Sequence, residues 1–140
     1  MSAAPGGRPA VTVPLFLGGE GMRGGRVHPS IAKYPFIGEV STAPRYRFYV
    51  YDDRFPALWP DPDGGISVVG ELIDIPLEAV RDEFMTVEPP ELELGVIELA
   101  DGSPSLAVVL RPDVHARGTG LVDISKYGGW RAYQDTRLTR

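Results

Sequence analysis

Residues 14–25 read Pro14-Leu15-Phe16-Leu17-Gly18-Gly19-Glu20-Gly21-Met22-Arg23-Gly24-Gly25. The short apolar run from Val11 to Leu17 predicts a buried strand. It empties into a loop of five glycines with Glu20 and Arg23 between them. Glycine lets a backbone turn sharply and approach a ligand closely. A strand that ends in such a loop offers backbone N–H groups to an anion or a carbonyl.

The loop contains a G-x-G-x-x-G pattern at Gly19, Gly21 and Gly24. A dinucleotide site needs a helix opening on the last glycine, inside a strand–helix–strand unit. Here Gly25-Arg26-Val27-His28-Pro29 follows, a poor helix start. Pro29 suits the first turn of a short helix from about His28 to Tyr34. No Gly-Lys-Ser/Thr is present, so a nucleotide P-loop is excluded as well. Two readings remain: a ligand-holding loop and a plain glycine-rich surface loop.

The 140 residues suit one domain with one core. Their 17 glycines and 14 prolines predict short strands and many turns. A net charge of −5 argues against nucleic acid or an anionic membrane as partner. No cysteine is present, which removes disulfides, thiolate catalysis and cysteine-ligated zinc together. Residues 1–10 are small and polar and read as a disordered tail, not a signal peptide. No run is long enough to span a bilayer, so a cytoplasmic protein is the default expectation.

Phe36 to Val40 predicts a second strand. Arg45 to Tyr51 is the clearest one, with Tyr46, Phe48 and Val50 on one face and Arg45, Arg47, Tyr49 and Tyr51 on the other. Phe55 to Pro60 is apolar, and its two prolines predict an edge or irregular segment. Ile66 to Ile75 is the next strand, where Gly70 marks a bulge or a close approach. Pro76 opens a short helix over Leu77–Met85, with Leu77, Val80 and Phe84 on one stripe and Glu78, Asp82 and Glu83 outward. Val87-Glu88-Pro89-Pro90 stops it. Leu92 to Leu99 alternates with a phase slip near Gly95-Val96, which predicts a bulge. Asp101-Gly102 turns the chain into an apolar strand from Ser105 to Leu110. Arg111 to Gly120 reads as a polar loop, Asp123 to Tyr133 as a compact segment packing Trp130 and Tyr133, and Gln134 to Arg140 as a frayed end. The fold class expected is α+β, β-rich: a small mixed open barrel of five or six strands with short flanking helices. One domain runs over 11–134.

Several of these stretches carry a resemblance. Leu15-Phe16-Leu17-Gly18-Gly19, Thr42-Ala43-Pro44-Arg45-Tyr46-Arg47-Phe48-Tyr49, Phe55-Pro56-Ala57-Leu58 and Gly70-Glu71-Leu72 resemble, in order and spacing, the gamma-glutamylcyclotransferase-like superfamily. Glu91 to Gly102 and Asp123 to Tyr133 look like the C-terminal domain of allophanate hydrolase, here standing alone. The resemblance covers roughly Leu15 to Tyr133. It implies a barrel mouth where Leu17, Gly18, Gly19, Glu20, Gly21 and Met22 hold a small carboxylate, amide or carbamate.

In cyclotransferases a glutamate at the mouth is the general acid and base, and Glu88 is the match it implies. Partly withdrawn from water, such a carboxyl has its pKa raised towards neutrality. Two departures disfavour gamma-glutamyl cyclisation itself. Gly18 stands where that family has a tyrosine, and Glu20 adds a negative charge where it holds a carboxylate. The allophanate-hydrolase-like reading implies instead a pocket for a carboxylated urea or carbamate and the decarboxylation of such a product. It also implies a histidine after the glycine loop, matched by position to His28.

Each residue has a plainer reading. Glu88 also fits a solvated helix end, and His28 a surface residue beside a proline. Glu71, mid-strand, calls for an ion-pair partner such as Arg45 or Arg47. Arg45 and Tyr49 sit on a face that fits either an anion pocket or an interface. Two scattered histidines without cysteine argue against a metal site, and no cofactor is implied. The partners expected are a small-molecule ligand, an amidase, or a second copy of the chain in a homodimer. The non-catalytic alternative is an accessory or oligomerisation module.

Overall fold

A computed structural model describes residues 11–138. The tail expected over 1–10 and the last two residues lie outside them. The described residues form eight strands: β1 (Thr12–Leu17), β2 (Phe36–Ser41), β3 (Tyr46–Tyr51), β4 (Phe55–Pro60), β5 (Val69–Pro76), β6 (Leu92–Glu98), β7 (Pro104–Leu110) and β8 (Leu121–Asp123). They make one mixed sheet in the order β2-β5-β1-β7-β4-β3-β8, with β6 paired to β7 off that path. The curled sheet is a half-barrel, with more strands than the five or six expected.

The central strands are apolar on the inner face. Leu15, Phe16, Phe48, Val68, Ile73, Ile75, Val80 and Phe84 belong to the main core, and Phe55, Ala57, Leu92, Leu110 and Val114 form a second one. On β3 the expected alternation holds, with Tyr46, Phe48 and Val50 buried and Arg47, Tyr49 and Tyr51 partly exposed. Each phenylalanine buried this way contributes about 1.5–3 kcal/mol.

Several local expectations are corrected. β4 is interior, not an edge. It pairs along its length with β3 but meets β7 at a single register pair, Leu58↔Val109, so Pro56 and Pro60 interrupt no long ladder on that side. Of the two readings open for Gly70, the close approach holds and the bulge does not. A Cβ there would lie 2.5 Å from the Leu17 carbonyl oxygen and 2.5 Å from the Phe16 ring. β6 keeps continuous register with β7 from Leu92↔Leu110 to Glu98↔Pro104, without a bulge at Gly95. Its phase changes because Leu92 packs into the second core and Ile97 into the main one, from opposite faces. The sheet's register shift lies in β2, between Phe36 and Gly38.

The helix after β5 is irregular. It begins as α1 (Leu77–Ala79), widens to a π-helix over Val80–Phe84 and tightens to a 3-10 turn over Met85–Val87. The wide turn rotates the apolar stripe, so Val80 and Phe84 are buried while Leu77 is 47% exposed. The expected polar loop after β7 contains α2 (Pro112–Arg117), with Pro112 in its first turn and Gly118 left-handed at its end. A last helix, α3 (Trp130–Leu138), continues past the point where a frayed end is expected. Among the described residues no helix is long and apolar enough to cross a membrane.

Candidate functional site

The site begins with a fork in the sheet. The first half of β7 pairs in parallel with β1 through Leu15↔Leu106 and Phe16↔Ala107. The same edge passes to β4 at Val109. β1 and β4 therefore diverge, and the glycine loop fills the gap between them. The resulting cavity is lined by Phe16 to Gly21 on one side and Phe55 to Leu58 on the other. Phe48, Phe84, Glu88, Leu92 and Val108 close it. Its free volume is about 40 Å³. At about 10–15 Å³ per water centre, that holds a few waters or one group of carboxylate size.

The loop folds back on itself. The N–H groups of Met22, Gly25, Val27 and His28 donate to the carbonyls of Gly19, Met22, Glu20 and Gly25. Among the described residues no backbone or side-chain acceptor takes the N–H groups of Gly18, Gly19, Glu20 and Gly21, all of which border the cavity. Consecutive N–H groups without internal partners are suited to an anionic or carbonyl oxygen.

Among the described residues, Glu88 is the one titratable side chain facing this stretch across the cavity. It follows the 3-10 turn and precedes Pro89, which keeps it out of helix; its backbone is extended, with φ −84° and ψ 147°. That break in the helix turns Glu88 towards walls of Phe16, Phe55, Phe84 and Leu92. Among the described residues nothing hydrogen-bonds its carboxylate. Burial alone pushes the carboxyl up from 4.5 to about 7. At neutral pH it therefore exists in both forms, and can give or take a proton.

The other expected residues divide. Leu17, Gly18, Gly19, Glu20 and Gly21 line the cavity. Met22 is buried and borders grooves on the far side of the loop, beside Trp130. The Glu20 carboxylate is held by the Trp130 indole N–H at 2.7 Å and by the Arg26 backbone N–H and guanidinium at 3.1 and 3.3 Å. Burial pushes its pKa up, but these donors outweigh it and hold the carboxyl below its usual range. Its charge is thus already compensated by Arg26.

Three residues are elsewhere. His28 does not line the cavity; its Nδ1 lies 3.0 Å from the Gly21 carbonyl oxygen. A carbonyl only accepts, so Nδ1 carries the proton and the imidazole braces the loop. Arg45 is paired with Glu98 at 3.3 Å. Tyr49 meets His115 edge-on at 5.8 Å, and His115 stacks on Trp59 at 3.8 Å, with Tyr49 and Trp59 packed partly against the second core. The expected partners of Glu71 are also different. Arg47 pairs with Asp123, while Glu71, 1% exposed, takes Arg23 and Arg131.

Sequence reasoning missed the aromatic wall formed by Phe48, Phe55 and Phe84, and the contact of Trp130 with the loop. The wall has no local signal, because its members come from three separate elements. Trp130 is expected to pack the chain end and does so at 5% exposure, but its indole donor reaches back 110 residues to Glu20. Among the described residues no cluster of three or more His, Asp or Glu side chains is arranged to hold a metal ion.

Known proteins share this architecture. The crystal structure of c4763, a uropathogenic E. coli-specific protein, superposes with a TM-score of 0.81 and 31% identity, over 89% of this chain and 97% of that one. Kluyveromyces lactis allophanate hydrolase superposes with a TM-score of 0.81 and 23% identity, over 96% of this chain and 22% of the enzyme. The fold is thus the gamma-glutamylcyclotransferase-like half-barrel. Urea amidolyase of Saccharomyces cerevisiae is 25% identical over 132 residues, which take in 89% of this chain. The chain spans only 7% of that relative's length. Residues 13–135 match the family described as the allophanate hydrolase C-terminal domain, and the chain belongs to that family.

Proposed function

We propose that this chain binds and transforms a small carboxylate, amide or carbamate in the cavity between the glycine loop and Glu88. One observation carries the reading: a carboxyl that titrates near 7 shares a narrow cavity with four backbone N–H groups that lack internal partners. The N–H groups would hold an oxyanion or carboxylate oxygen, as in other sites built from fixed backbone dipoles. Glu88 in its acid form would supply a proton.

For a carboxylated carbamate or urea the balance is simple. Breaking the bond between nitrogen and the carboxylate carbon releases carbon dioxide and leaves the electron pair on nitrogen. Glu88 gives that nitrogen its proton and is left as a carboxylate. Solvent returns the proton to Glu88, which a carboxyl titrating near 7 accepts readily at neutral pH. The apolar walls keep bulk water from solvating the substrate carboxylate, whose charge is lost as carbon dioxide forms.

The test is a thermal-shift screen of wild type and Glu88→Gln with allophanate, related ureas and carbamates, dicarboxylates and gamma-glutamyl amides. A ligand at a hundred times its dissociation constant adds about 2.7 kcal/mol of stability. A shift that Glu88→Gln weakens, followed by carbon dioxide release in a turnover assay, supports the proposal. Release of 5-oxoproline from gamma-glutamyl amides would assign cyclotransferase chemistry instead.

A second reading, an accessory module pairing with an amidase or with a second copy, rests on apolar residues exposed on two lateral strands. Phe36 and Ile37 are exposed on β2, and Leu94 and Val96 on β6. β2 ends the main sheet path and β6 pairs with β7 alone, so both leave a lateral edge for a partner. Co-purification with an amidase, and no ligand response in the screen, would favour it.

A further inference from the structure

α3 enters the sequence more than 100 residues after the glycine loop, yet its first two residues hold that loop directly at two points and through Glu71 of β5 at a third. Trp130 donates its indole N–H to Glu20 Oε2 at 2.7 Å. Arg131 donates to the Arg23 carbonyl at 2.8 Å and to Glu71 Oε2 at 3.1 Å. Glu71 in turn accepts from the Arg23 backbone N–H at 2.9 Å and its guanidinium at 3.0 Å. The far end of the helix is anchored separately, by Arg137 and Tyr133 to Asp53 in the turn between β3 and β4. Glu20 belongs to both arrangements: it lines the cavity through one part and meets Trp130 through its carboxylate.

We propose that the first turn of α3 positions the glycine loop, with Trp130 acting through Glu20 and Arg131 acting through Glu71 and the Arg23 carbonyl. The loop's own backbone bonds run from Gly19 to His28, and its apolar anchors are Met22, buried in the main core, and Val27, packed partly against it. Charge-assisted hydrogen bonds from a packed helix are the stronger constraint on where its backbone lies. Loosening α3 therefore loosens the wall that faces Glu88 and admits water to the cavity. Neither Trp130 nor Arg131 lines the cavity, and their hydrogen bonds go to Glu20, the Arg23 carbonyl and Glu71, so they are positioning residues. The proposal rests on the cavity described above as the site, but not on any ligand being bound there.

The test uses the whole chain without ligand. Trp130→Phe keeps an aromatic side chain, smaller than the indole, and removes the donor; Glu20→Ala removes the acceptor at a partly exposed position and serves if the first variant does not fold. Glu20→Gln keeps an oxygen for the indole and is the rescue control. Amide exchange is measured at Met22, Gly25, Val27 and His28 and compared with amides of the β1–β5 ladder. The side-chain carboxyl of Glu88 is titrated by NMR in the same samples. Trp130→Phe and Glu20→Ala should speed loop exchange at least tenfold, leave the ladder unchanged and lower the Glu88 midpoint by one pH unit or more; Glu20→Gln, which keeps an acceptor but not the charge, should fall between Glu20→Ala and wild type. Unchanged loop exchange overturns the proposal. So does a uniform acceleration across loop and ladder, which would make Trp130 a packing residue alone. A failed ligand screen leaves these readouts unaffected, so the two ideas fail separately.

Discussion

Gly19 lies against Pro56 so closely that an added Cβ would sit 2.6 Å from the proline Cγ. Both residues line the cavity, so the glycine is the contact through which the loop seats on β4. Gly19→Ala should cost about 1–3 kcal/mol, because neither the ring nor the strand can yield without moving cavity walls. Pro56→Ala in the same background should recover most of the loss. Denaturant unfolding of the two single variants and the double variant gives the coupling directly, and additive losses would show that the contact is not the constraint.

The Glu88 carboxyl makes stability depend on pH. Its folded value, about 7, lies above the usual 4.5. Between those values the folded state holds a proton that the unfolded state has released. The contribution is fully present below pH 4.5 and is lost as pH rises through 7. The difference amounts to at most about 3 kcal/mol. Glu88→Gln mimics the neutral form, so its Glu88-linked slope should vanish and it should be the more stable protein at pH 8. Parallel melting curves at pH 5 and pH 8 decide this; equal pH dependence in the two proteins would mean that Glu88 is solvated.

Glu71 behaves in the opposite sense. Burial pushes its carboxyl up, but the Arg23 backbone N–H, the Arg23 guanidinium and Arg131 outweigh it and bring the pKa below the usual value. Its contribution is present above the unfolded pKa and is lost as pH falls through the folded one. Glu71→Ala should cost about 3 kcal/mol at pH 7, the lower end of the range for breaking a buried ion pair, because both arginines stay partly hydrated. At strongly acid pH the variant and wild type should converge, measured by urea unfolding.

Thr42 offers a test of the hydrogen-bonded interior away from the cavity. Its buried hydroxyl accepts from the Val68 N–H at 3.0 Å and donates to the Ala43 carbonyl at 2.9 Å. Thr42→Val keeps the shape and orphans the buried Val68 donor, which should cost about 1–3 kcal/mol. Thr42→Ser should recover most of it, as read from thermal unfolding.

The fold was legible where one local pattern decides one element. Tyr46, Phe48 and Val50 alternate along β3, and Leu17 ends β1 at the glycine loop. It was not legible where tertiary context overrides the pattern. Pro56 and Pro60 argue for an edge, yet β4 is interior because its contact with β7 is so brief. Gly95 looks like a bulge because Leu92 and Ile97 serve different cores. The site divides in the same way. The glycine loop and the lone Glu88 before two prolines are readable as chemistry. Arg45 and Tyr49 share a strand face in sequence, but the sheet carries that face away from the cavity, to Glu98 and His115. Glu71 announces its need for a cation, while its partners come from a loop and a helix 48 residues before it and 60 residues after it.

An NMR titration with allophanate and simple carbamates, following backbone amides and the Glu88 carboxyl together, decides whether the cavity is the site. If the cavity is the site, the amides of Gly18, Gly19, Glu20 and Gly21 shift first and saturate with the Glu88 signal, and Glu88→Gln weakens the response. Shifts confined to the exposed strands β2 and β6, with the loop and Glu88 unmoved at saturation, would contradict it and make this domain a docking module.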